Sequence, residues 1–129
     1  MIAAARAAIG TPTRVQGRVA GLALDCVGLA ALAARAGGVR FEIPSDYSLR
    51  SDNRTRLAEG MMANGFLPVE TARPGDIVHV EVGPGHHHLA VQTELGAVHA
   101  DFGVGRVVEA ELPPDWRTIF VWRLEGEER

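Results

Sequence analysis

"RPGDIVHVEVGPGHHHLAV" (residues 73–91) is where the hydrophobic pattern of this chain changes period. Upstream, apolar residues recur at helical spacing; from Asp76 onward they alternate, which is the period of a half-buried strand. IVHVEV (77–82) and HHLAVQ (87–92) predict two strands joined through Gly83-Pro84-Gly85. AVHA (97–100), RVVE (106–109) and TIFVWRL (118–124) predict three more, separated by TELG, DFGVG and ELPPDW.

The part before Arg73 reads as helices. Residues 2–9 predict a short helix closed by Gly10, since TPT behind it cannot continue the turn. The clearest helix is DCVGLAALAARAGG (25–38): Asp25 is a good N-cap, Leu29, Leu32 and Ala33 share a face, and Gly37-Gly38 end it. IPSDYSLRSD (43–52) is a loop. NRTRLAEGMMANG (53–65) predicts a third helix, capped by Ser51 or Asp52 and ended by Asn64-Gly65. Helices first and a meander of about five strands afterwards is an α+β layout, with the helices packed on one side of an antiparallel sheet.

The 129 residues suit one domain with its own core. The charge of −3 and thirteen scattered arginines, with no lysine, offer no basic stripe and exclude an electrostatic footprint for nucleic acid. A lone cysteine excludes an intramolecular disulfide. The alanine-rich start MIAAARAAIG is interrupted by Arg6 and lacks the plan of a signal peptide, and no apolar run suggests membrane insertion. Synthesis in the cytoplasm is the expectation.

Cys26 follows the proposed cap directly, in the first turn of its helix. Unpaired N–H groups and the positive end of the helix dipole stabilise a thiolate there, so a lowered thiol pKa is expected. The Cys26 amide is then placed to stabilise an oxyanion. The bland alternative is a small buried apolar residue. A thiolate mechanism also needs a base and a group to orient it.

The histidines divide by face. In a strand His86 and His88 point one way and His87 the other. With a two- or four-residue turn at TELG, His99 and Asp101 fall on the face of His88, and either could orient it. A zinc reading uses His86, His88 and His99, with Cys26 as a fourth ligand. A catalytic reading makes His88 the base for Cys26 and leaves the neighbouring histidines, His79 included, incidental.

LDCVGLA (24–30), RPGDIV (73–78), HLAV (88–91) and AVHAD (97–101), in that order, resemble the NlpC-type cell-wall peptidases. These are papain-like cysteine hydrolases with a circularly permuted order of elements. IGTPTRVQGR (9–18) and GRVVEAELPPDWRTIFVWRL (105–124) further resemble the tail-associated peptidases of phages and gene transfer agents, and together the segments span nearly the whole chain.

The resemblance implies a papain-like fold with Cys26 as nucleophile, His88 as base and His99 as orienting residue. Thr13 and Asp25 stand at substrate-side positions, with Asp25 better suited to cap its helix than to act as an acid. No cofactor and no metal are implied. The reaction implied is hydrolysis of an amide in the peptidoglycan stem peptide, often between D-glutamate and the diamino acid. It would proceed from a Cys26–His88 ion pair through a thioester, in a phage-like tail that opens the cell wall locally. Peptidoglycan and tail or baseplate proteins are the implied partners. Exposed apolar residues near the C-terminal strand or in the 43–50 loop are candidates for the tail contacts.

The chain departs from the family at three places. Thr13 replaces an aromatic, commonly tyrosine, that lines the cleft beside the cysteine. Val15 stands where histidine is frequent, and Val27 where many relatives have serine. Thr13 and Val15 favour a rival expectation, a structural tail protein that keeps the fold without turnover.

Overall fold

The computed structural model describes residues 1–14, 18–19, 23–42 and 53–124, and the side chains of all these except 18, 19, 23, 24 and 53–56. The 43–52 loop, with Ser51 and Asp52, lies outside the described residues, as does Val15. The elements in chain order are α1 (Ile2–Ala7), β1 (Arg18–Val19), β2 (Ala23–Leu24), α2 (Cys26–Ala36), α3 (Asn53–Ala63), β3 (Phe66–Val69), β4 (Ile77–Gly83), β5 (His86–Thr93), β6 (Gly96–Asp101), β7 (Arg106–Ala110) and β8 (Arg117–Leu124). The fold is α+β, with a six-stranded antiparallel sheet ordered β3-β8-β4-β5-β6-β7.

Two features correct the five-stranded meander. Phe66–Val69 is a sixth strand, paired with β8 from Phe66↔Leu124 to Val69↔Val121. Pro68 hides it in the sequence, yet proline is tolerated on an edge strand, where one side of the backbone needs no ladder partner. β8 then inserts between β3 and β4 instead of following β7. That central place explains why Val121, Trp122, Arg123 and Leu124 are all buried. The C-terminal end of β8 is therefore core. The large exposed apolar side chains are Ile9, Met62, Leu67, Leu95, Phe102 and Val104.

α2 forms as its caps dictate. An Asp25 carboxylate oxygen accepts from the Gly28 amide at 2.8 Å, and Gly38 takes the left-handed conformation beyond the last turn. Its buried alanines (Ala30, Ala31, Ala33 and Ala34) let the helix lie close against the sheet. Leu29 and Ala33 from α2, Ala5 from α1 and Met61 from α3 pack with Phe66, Leu89, Val91, Val98 and Trp122 to form the main core. A smaller cluster of Val78, Ala90, Ala97 and Val121 covers the opposite sheet face, where Val69 and Leu112 pack against it.

One buried ion pair ties the start of β4 to β8. Arg123 donates to both oxygens of Asp76, at 3.0 and 2.8 Å, and to the Thr71 carbonyl at 3.1 Å. Asp76 also accepts from the Arg73 amide, so the RPGD turn is held on both sides. The N-terminal segment lies along the outer edge of β7 and covers that edge: Gly10 N–H donates to Val107, Val107 N–H to Thr11, and Thr13 N–H to Gly105.

Candidate active site

The β1–β2 ribbon, with Arg18 opposite Leu24, leads directly into Asp25 and Cys26. Among the first amides of α2, that of Gly28 is taken by the Asp25 side chain and that of Leu29 by the Asp25 carbonyl. The Cys26 and Val27 amides have no intrahelical acceptor and act on the Cys26 sulfur instead. A third amide reaches the sulfur from the sheet, that of Leu89 on β5.

The ladder explains why Leu89 is available. Gln92 exchanges backbone hydrogen bonds with the start of β4, through Gln92 N–H to Asp76 and Gly75 N–H to Gln92. Even-numbered amides of β5 therefore face β4 and odd-numbered ones face β6. β5 and β6 pair only from Thr93↔Gly96 to Val91↔Val98, and beyond that the ladder opens. Leu89 N–H points into the opening and meets the sulfur there.

The two-residue turn at Glu94-Leu95 gives the parity that brings His88 and His99 together. His88 Nε2 and His99 Nδ1 lie 3.0 Å apart, with the rings edge-on at 87°. Both side chains are buried. Asp101, the other candidate to orient His88, is engaged elsewhere. Its Oδ1 accepts from the Gly103 and Val104 amides of the β6–β7 turn, at 2.8 and 3.0 Å, and only its charge acts on the two rings.

The electrostatics correct the expected thiolate. Cys26 is 1% exposed, and burial pushes its thiol up to about 12. The Leu89, Val27 and Cys26 amides pull it down and the Asp25 carboxylate pushes it further up, but desolvation outweighs them. Burial likewise holds His88 down at about 4; His99 lowers it further and Asp101 opposes. His99 is lowered by burial as well, against the pull of Asp101. Burial thus favours the neutral thiol and the neutral imidazoles in the resting site. No hydrogen bond joins Cys26 to His88 among the described residues, and the expected ion pair is not formed.

Sequence reasoning missed Trp116. Its indole stands edge-on to both imidazoles, with centroids 5.5 Å from His88 and 5.7 Å from His99. PPDW reads as a turn before a strand, and nothing in it signals that the turn folds back over two histidines from other strands.

Asp25 is buried and its carboxylate engages the helix end. Thr13 is buried beside Gly105, at the end of the sheet where Asp101 pairs with Arg106. His86 is exposed, and the described residues contain no group of three or more His, Cys, Asp or Glu able to hold a metal, so the zinc set is not assembled. His79 and His87 form a second buried pair, with Nε2 and Nδ1 at 3.0 Å. An open cleft of about 550 Å³ lies at the far end of the β5–β6 hairpin, lined by Thr93, Glu94, Leu95 and Glu111, away from these groups. No described helix is long and apolar enough to cross a membrane. No protein-family model matches the sequence, and no curated protein matches it.

Proposed function

We propose that this protein is a papain-like cysteine peptidase of the NlpC type. It hydrolyses an amide bond of the peptidoglycan stem peptide as a component of a phage-like tail. The observation that carries the proposal is a juxtaposition: the His88–His99 pair sits one residue from the Leu89 amide that meets the Cys26 sulfur. The order of the four sequence motifs supports the same assignment.

The chemistry starts from neutral groups. A base role requires the tautomer in which His88 Nε2–H donates to His99 Nδ1, leaving the lone pair of His88 Nδ1 for the thiol. Substrate binding must bring Sγ and this nitrogen into contact, a tightening common between free and substrate-bound sites. His88 takes the thiol proton as the sulfur–carbon bond forms, and the Cys26 amide is a candidate donor to the oxyanion. The carbon–nitrogen bond then breaks and His88 gives the proton to the leaving amine. Water attacks the thioester, delivers its proton through His88 to the departing sulfur, and leaves the acid.

Incubation of the full chain with stem-peptide fragments, read by mass spectrometry, tests this. The expected result is a new amine and carboxylate pair from the wild type and none from Cys26→Ala. Equal, uncleaved spectra would overturn it. A second reading, a tail protein that keeps the fold without turnover, is favoured by one observation: the Cys26 thiol is buried and makes no hydrogen bond to His88.

A further inference from the structure

Trp116 comes from neither of the strands that carry the histidines. The turn before β8, closed by Trp116 N–H donating to the Pro113 carbonyl at 3.1 Å, presents its half-buried side chain to them. The indole is edge-on to His88 at 75° and to His99 at 85°, and the imidazoles are edge-on to each other with centroids 5.2 Å apart. Each ring of this triangle touches the other two. One hydrogen bond alone would leave an imidazole free to rotate about its side-chain torsion, and an indole packed edge-on against both rings removes that freedom.

We propose that Trp116 is a positioning residue for the histidine pair: its indole holds the His88 and His99 rings in their shared hydrogen bond and keeps water from that contact. The proposal rests on the assignment of His88 as base, and Trp116 acts through that residue without needing to touch substrate. The charged and titratable groups of the neighbouring elements include, among the described residues, His86 on β5, Asp101 on β6, Arg106 opposite it on β7, Asp115 and Arg117 flanking Trp116, Glu81 held by Arg117, and Cys26. Of these, Asp101 favours protonation of both rings, while burial opposes it and is the larger cause in each. Trp116 shares in that burial, so its loss admits water and lets both rings protonate at higher pH.

The test is an NMR titration of the histidine ring protons in the full chain, for wild type, Trp116→Ala, Trp116→Leu and Trp116→Phe. Leucine keeps apolar bulk without the flat ring, and reports even if alanine destabilises the fold. The expected result is an upward shift of the His88 and His99 titrations in the alanine and leucine variants, most of it reversed by phenylalanine. On stem-peptide fragments kcat falls on the order of tenfold with KM little changed, and the acid limb of the pH profile moves up with the titrations. Unmoved titrations in the leucine variant overturn the proposal whatever the turnover. Shifted titrations in a protein whose wild type cleaves no stem peptide support the role of Trp116 and overturn the peptidase assignment instead.

Discussion

Two histidine pairs leave adjacent residues of β5. His88 meets His99 and His87 meets His79, each with ring nitrogens 3.0 Å apart, and all four side chains are buried. Contact and burial therefore do not distinguish them. Their surroundings do. His87 follows the parity of Leu89 and Val91, which pack in the main core with the helices, and its partner His79 packs against Phe120. The β4–β5 ladder beneath that pair continues from Ile77↔Val91 to Glu81↔His87. His88 follows the parity of Ala90, on the other face, at the point where the β5–β6 ladder has opened. The opening admits the end of α2 and frees a backbone amide for a sulfur. A buried histidine pair is thus a packing solution on a closed ladder and a candidate machine on an open one.

His88→Ala should lower turnover of stem-peptide fragments by about 10²–10⁴, the range for loss of a general base. His87→Ala should act on stability instead, lowering the unfolding free energy measured by denaturant titration by about 1–3 kcal/mol while turnover per folded molecule stays within a few-fold. Equal losses of turnover from both would erase the distinction between the faces.

Next in size is the frame that both pairs share. Asp76→Asn removes the carboxylate that takes two hydrogen bonds from buried Arg123, and breaking such a pair costs about 3–5 kcal/mol. Chemical denaturation measures it, and a change under about 1 kcal/mol would show that the sheet does not depend on this clip.

The pKa of His88 is depressed on folding from an ordinary value of 6.5 to about 4, so the unfolded chain binds more protons across that interval. Stability contributed by the neutral ring is present above pH 6.5 and is lost as pH falls toward about 4. The melting temperature should fall over that window, and His88→Gln should flatten the fall. An equally steep fall in the variant would move its origin away from His88.

Much of this architecture was legible in the sequence because its signals are local. Asp25, Gly38 and Gly65 mark helix ends through backbone geometry alone, and the alternation from Ile77 onward gives five strands near their observed limits. The parity that pairs His88 with His99 follows from turn length. What was not legible depends on distant chain. β3 is strand because β8 returns beside it, and no property of Phe66-Leu67-Pro68-Val69 announces that partner. Trp116 joins the histidines for the same reason. The thiol was misjudged on balance: the helix-end amides were counted correctly, but the burial that outweighs them is a property of the folded whole.

That balance leaves a smaller effect to measure at Cys26 itself. Alkylation by iodoacetamide should be slow at neutral pH and rise only well above the range of an ordinary thiol, in wild type and in His88→Ala alike, because neither resting group is charged. A reactive thiolate near neutral pH, lost in His88→Ala, would instead establish the ion pair that this resting geometry lacks. Asp25→Asn then separates the two roles of the cap. Asparagine keeps an oxygen for the Gly28 amide, so stability should change by less than about 1 kcal/mol. Removing the carboxylate charge should lower the alkylation midpoint, since Asp25 pushes the thiol up. Burial is the larger cause, so the midpoint should remain above that of a free thiol even then. If the Asp25 substitution alone brought the thiol into the ordinary range, charge and not desolvation would be what keeps Cys26 neutral, and the opened ladder would already supply enough amide dipoles for a nucleophile.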